Sequence, residues 1–205
     1  MDEAHLNRKD VSRLFRRIGW GLVFSLIDFR IMYFDLLPDF IGYILIATAL
    51  QGLGTIHVAF ARAKWAAILM ILASLLSVFM PANIHITELN TQPLWIHFYS
   101  QAMTGLHTLL AYWLFNGMEH TVKRYLPKNR ELLEDIRFRG FVYLAFFAIQ
   151  LFLYPFHLNQ GEDWSIWLIL FSLIALMLEF LLLRLPFRLS NGFKRSLRAP
   201  IDRTP

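Results

Sequence analysis

Residues Ile166 to Pro186 read IWLILFSLIALMLEFLLLRLP, a run in which Ser172, Glu179 and Arg184 are the only strongly polar side chains. At about 1.5 Å of rise per residue, roughly 20 such residues cross a hydrocarbon core of about 30 Å as a helix. A helix satisfies its own backbone groups in lipid, where no water can. The run therefore predicts a membrane-spanning helix. Five more blocks of the same character precede it: Ile18 to Phe34, Phe40 to Ile56, Trp65 to Met80, Ile96 to Met118 and Gly140 to Phe156. The expected fold is all-α, a polytopic membrane bundle of six transmembrane helices.

Composition points the same way. Of 205 residues, 57% are hydrophobic and 17% charged, whereas charged residues approach about a quarter in soluble domains. There is no repeat, low-complexity run or long linker, so one transmembrane domain is expected over residues 1–187, followed by a basic tail over 188–205. The first span carries Asp28 and Arg30, lacks a small-residue cleavage site and runs straight into the second, which argues against a removable signal peptide. The chain has no cysteine, which excludes disulfides, thiolate nucleophiles and cysteine-ligated metals.

The 20 basic residues segregate by loop. Arg8 to Arg17 precede the first span, Arg62 and Lys64 lie between the second and third, Lys123 to Arg139 lie between the fourth and fifth, and the rest lie from Arg184 onward. The other three connections carry none, and only Arg30 breaks the pattern. By the positive-inside rule both termini are cytoplasmic, in the cell (plasma) membrane. Trp20, Trp65 and Trp113 at the inner span ends, and Trp95, Trp164 and Trp167 at the outer ones, fit interfacial belts. This distribution speaks for anionic lipids as partners of the basic inner loops and tail, rather than nucleic acid. In the longest inner loop, Asn129 is expected to cap a short helix lying on the leaflet with Leu132, Leu133 and Ile136 as its apolar edge. The tail from Arg188 reads as a disordered basic strip.

The segment IDFRIMYFDLLPDFIGYILIATAL, Ile27 to Leu50, joins the first two spans through a short outer turn and concentrates polar residues. Pro38 stops the first helix and Asp39 can cap the second, with Asp35 as a further acceptor. Gly42 permits close helix contact. Caps and turns account for these residue types without a ligand. Asp28 and Arg30 are costlier, at about 2.5 to 3.5 kcal/mol each in the centre of an inserting helix, and being two apart they must seek partners on other spans. The stretch Phe34, Asp35, Leu37, Pro38, Asp39, Phe40, Ile41, Gly42, Tyr43, Ile44, Leu45 resembles an uncharacterised family of small multi-pass membrane proteins of Gram-positive bacteria. In that family F-D-x-L-P-D-F-I-G-Y-I-L joins the first two spans. The resemblance implies a membrane bundle and brings no activity, substrate or cofactor with it.

Counting rise along each span places Asp28, His107 and Gln150 near the bilayer centre, with Glu179 somewhat nearer the cytoplasm. Span four adds Ser100, Thr104 and Thr108 to a polar face that must look into the bundle. Interhelical hydrogen bonds explain such a face, at about 0.6 kcal/mol each. The sharper alternative is an intramembrane site of Asp28, Arg30, His107, Gln150 and Glu179 that carries a proton, a cation or a small polar solute. No G-x-S-x-G, H-E-x-x-H or phosphate-binding glycine loop supports an enzyme, a metal site or a cofactor. Two function classes remain. One is a membrane-embedded interaction or regulatory protein with a membrane partner or a second copy of itself, supported by the tight hairpin and the Ala59, Ala63, Ala67 face. The other is a small transporter or channel built on the midplane residues. The first is the primary expectation.

Overall fold

A computed structural model describes residues 7–26, 30–31, 34–35, 39–77, 92–157 and 165–198. They form six helices: α1 (Arg8–Leu26), α2 (Asp39–Leu53), α3 (Val58–Ser77), α4 (Leu94–Tyr125), α5 (Arg130–His157) and α6 (Ser165–Arg198). Apart from these there is one minimal antiparallel pairing, β1 (Arg30–Ile31) with β2 (Phe34–Asp35), in the register Arg30 to Asp35 and Ile31 to Phe34. Among the described residues three stretches are long and apolar enough to cross a membrane: Val58–Leu76, Arg130–Phe156 and Ile169–Leu197. The 15 residues of α2 are apolar but shorter, reaching only about 22 Å.

The helices form an up-and-down ring in which each packs on its sequence neighbours and α6 closes back on α1. Contacts fix the alternation. Gly21 of α1 meets Gly42 and Ile46 of α2, while Leu14 meets Gly52. Phe60 of α3 meets Gly117 of α4, and the Tyr99 hydroxyl of α4 donates to the Ala73 carbonyl of α3 at 2.8 Å. Ser12 of α1 donates to the Ser190 carbonyl of α6 at 3.0 Å. Short turns after α2 and α4 impose the antiparallel hairpins. As a result every described basic residue except Arg30 gathers toward one end of the ring, the end where Ser12 meets Ser190.

Periodicity explains the core. On α1, Val11, Phe15, Ile18 and Leu22 form the buried stripe, and on α6 Leu178, Leu182, Leu185, Leu189 and Phe193 do, the i, i+3, i+4 spacing of one helix face. Phe15 links three helices, with ring centroids 5.9 Å from Phe60 and 6.1 Å from Phe193. The opposite faces are also apolar: Leu69, Leu72 and Leu76 on α3, Phe141, Ile149 and Phe152 on α5, and Leu173, Met177 and Phe180 on α6 are all exposed. A continuous apolar exterior of this extent marks a surface meant for lipid or protein rather than water.

Three expectations change. The first span is not one helix to Phe34: the described helix covers Arg8–Leu26, and Arg30 pairs its backbone in an extended hairpin. Extended backbone at Arg30 keeps that charge out of a spanning helix, where it would be costly. The segment expected to lie on the inner leaflet is instead the first two turns of α5, with Leu132 and Ile136 buried. Its cap is as expected, since the Leu132 N–H donates to Asn129 Oδ1 at 3.2 Å. The tail is helical as far as Arg198, because Leu189 and Phe193 extend the buried stripe of α6.

Candidate functional site

Glu179 sits on α6 beside the buried stripe, between Leu178 and Leu182, and its side chain is 18% exposed. An acid in so apolar a run needs partners on other helices. It has two. The Tyr143 hydroxyl of α5 donates to Glu179 Oε1 at 2.5 Å. From the far side of the ring, His107 Nε2 of α4 approaches the same oxygen at 3.0 Å. That second contact has ion-pair distance without hydrogen-bond direction, and Nε2 is buried with no hydrogen-bond partner. The imidazole is held against the carboxylate through Nε2 at ion-pair distance.

His107 and Glu179 border a cavity of about 260 Å³, and Tyr143 supports Glu179 from behind its wall. All six helices wall it: Ser25 from α1, Tyr43 from α2, Met70 from α3, Thr104 and His107 from α4, Phe147 from α5 and Glu179 from α6. It has room for several waters or one small solute. Leu26 and Tyr43 in its wall flank the 27–38 segment in sequence.

The polar face of α4 behaves differently from expectation. Thr104 Oγ1 donates to the Ser100 carbonyl at 3.0 Å and Thr108 Oγ1 to the Thr104 carbonyl at 2.7 Å. The hydroxyls thus return to their own helix, as Ser and Thr commonly do at i−4, and Ser100 is exposed. Ser100 meets the Tyr154 hydroxyl of α5, and His107 reaches Glu179 of α6.

The structure brings together His107 and Glu179 out of the expected intramembrane set. Gln150, half-buried on α5, is outside the cavity wall, and its Oε1 is buried without a hydrogen-bond partner. Asp28 and Pro38 lie outside the described residues, and of Arg30 and Asp35 the backbone alone is described. Asp39 occupies the first turn of α2, where a carboxylate complements the helix N-terminus. Gly42 is a true crossing point: a Cβ there would meet Gly21 O at 2.6 Å and Ser25 N at 2.8 Å. Sequence reasoning missed Tyr143, whose spacing of four from Phe147 marks it only as a core aromatic. It also missed the His97 Nδ1 to Tyr154 hydroxyl contact at 3.0 Å between α4 and α5.

At the basic end, polar groups are organised by charge. Asp135 pairs with Arg139, at 2.6 Å, and with Arg188. Glu119 accepts from Lys123 at 2.7 Å and from Arg137 at 2.8 Å. Burial alone would raise the Glu119 pKa, but Lys123 and Arg137 outweigh it and hold the carboxyl below its ordinary value. His57 stacks on His120 with centroids 4.1 Å apart. Its pKa is lowered by burial, by His120 and by Arg62, consistent with a neutral ring whose Nδ1 accepts the Ala59 N–H at 3.2 Å. Among the described residues no group of three or more His, Cys, Asp or Glu is placed to hold a metal ion.

No protein-family model, curated protein or solved structure matches this chain. The functional reading therefore rests on the geometry of the ring.

Proposed function

We propose that the chain is a six-span protein of the cell membrane with both termini cytoplasmic, and that its helix ring binds and passes a proton or a small cationic or polar solute at Glu179, His107 and Tyr143. The observation that carries this reading is a carboxylate and an imidazole meeting inside a cavity walled by all six helices. Intramembrane titratable groups facing a cavity mark transport pathways more often than packing. The orientation is supported by the gathering of basic residues at one end of the ring.

The chemistry follows from the contacts. Tyr143 donates to Glu179 from a fixed position on α5 and keeps the carboxylate oriented. His107 lies at ion-pair distance on the same oxygen, so a proton or cation arriving at Glu179 competes with the imidazole and releases α4 from α6. Binding at the centre is thereby coupled to the spacing of the helices around it.

Reconstituted protein tests this directly. Wild type in liposomes is expected to carry a proton-coupled or cation flux, and Glu179→Gln to abolish it while the protein stays folded. If wild type carries no flux and Glu179→Gln only unfolds, the cluster is structural and an interaction or regulatory role takes its place.

A further inference from the structure

The start of α1 and the end of α6 meet at the basic end of the ring in a cleft of about 360 Å³ lined by Lys9, Ser12, Arg13, Arg16, Lys194 and Leu197. Four cations converge there from segments about 180 residues apart in the chain, held by the Ser12 to Ser190 contact and the stacking of Phe15 on Phe193. Four other cations at this end have carboxylate partners: Arg137 and Lys123 have Glu119, and Arg139 and Arg188 have Asp135. Among the described residues the one acidic contact in the cleft is a loose, exposed one from Asp10 to Arg13 at 3.7 Å. Lys9, Arg16 and Lys194 have no carboxylate partner among the described residues. Packing like charges together without a counterion is unfavourable. A second cleft shares Arg13 and Arg16 and continues along α1 to Arg17, Leu14 and Trp20. Trp20 and Leu197 are about half exposed beside these cations, at 51% and 49%.

We infer that this α1/α6 cleft is a binding site for the phosphate headgroup of an anionic phospholipid, with Lys9, Arg13, Arg16 and Lys194 around the phosphate. Soluble phosphate esters share that chemistry. The apolar flank formed by Trp20, Leu14 and Leu197 selects the lipid, because it offers acyl chains a surface continuous with the headgroup site. The inference rests on the membrane part of the reading above and not on the central cavity.

The test compares three proteins purified in detergent: wild type, Arg13→Gln/Arg16→Gln, and Lys128→Gln/Arg130→Gln. The last makes the same charge change at the exposed α4–α5 turn. Thermal unfolding is followed with added phosphatidylglycerol, phosphatidylcholine or glycerol phosphate. Phosphatidylglycerol is expected to raise the Tm of wild type and of the Lys128/Arg130 variant. The Arg13/Arg16 variant should need on the order of tenfold more lipid for the same rise. Should that variant fail to fold, Lys9→Gln/Lys194→Gln carries the same expectation from the other side of the cleft. Equal losses in both charge variants would overturn the site in favour of diffuse attraction. An equal rise with glycerol phosphate would overturn the lipid as its source. Glu179→Gln is expected to respond to lipid as wild type does, whereas a chain soluble without detergent and free of phospholipid would sink the membrane reading itself.

Discussion

Replacing Gly42 by alanine adds one methyl group where α1 and α2 meet backbone to backbone. The new Cβ would stand 2.6 Å from Gly21 O and 2.8 Å from Ser25 N, both backbone atoms that cannot rotate aside. Ordinary contact begins at 3.4 Å, so α1 and α2 must part by about 0.8 Å along a seam already close-packed. Overpacking of this kind costs about 1 to 3 kcal/mol, and for a chain of this size about 2 kcal/mol lowers Tm by roughly 4 to 8 °C. Gly105→Ala supplies the control, since nothing lies within 4 Å of a Cβ there. Alanine's better helix propensity, up to about 1 kcal/mol, should leave that variant unchanged or raise its Tm by a few degrees. Thermal unfolding of both in the same detergent, with tryptophan fluorescence as readout, decides the matter. Equal shifts in the two proteins would refute the claim that α1 and α2 touch backbone to backbone. Because Ser25 and Tyr43 wall the cavity from these two helices, Gly42→Ala should also weaken flux, and Gly105→Ala should not.

Other expectations follow from the polar contacts. Tyr143→Phe removes the donor on Glu179, which should destabilise by about 1.5 to 3 kcal/mol, the range for a hydrogen bond to a charged group, read as a lower Tm. Glu119 has a folded pKa below its ordinary 4.5, so its contribution is present above about pH 4.5 and fades as pH falls through the folded value; the Tm gap between wild type and Glu119→Gln should close on acidification. His57 has a folded pKa below 6.5, so the unfolded chain takes up its proton first and stability declines as pH drops below about 6.5. His57→Asn should flatten that part of the Tm profile between pH 7 and 5, and an unchanged slope would assign it to other groups.

Hydropathy made the helices visible and misplaced their ends for one reason. It reports where lipid begins, not where hydrogen bonding stops. α5 begins at Arg130 and α6 runs to Arg198 because Asp135, Glu131 and Arg188 hold the helices together in the charged zone beyond the apolar run. Conversely the backbone at Arg30 and Ile31 is extended within the block that hydropathy reads as the first span. Half of the central site was legible, since His107 and Glu179 stand out as titratable residues in apolar runs. Their meeting was not, because periodicity assigns a face to each helix but not which helix that face sees. Depth counting placed Asp28, His107 and Gln150 at one level; Asp28 lies outside the described residues, and the ring brings Glu179 of α6 to His107 of α4. Tyr143 carried no signal at all, since a tyrosine in a span looks the same whether its hydroxyl meets solvent, lipid headgroup or a carboxylate.

Glu179 Oε1 takes contacts from α4 and from α5 while belonging to α6. It is thus a knot where three helices are tied at one atom. The seam between α5 and α6 is the thinnest in the ring, and the knot bridges it. On the reading proposed above, whatever occupies that oxygen would govern two things that are separate in most binding sites: whether a guest can stay, and how wide the door beside it stands. A single side-chain oxygen would then serve the bundle as lock and hinge pin together.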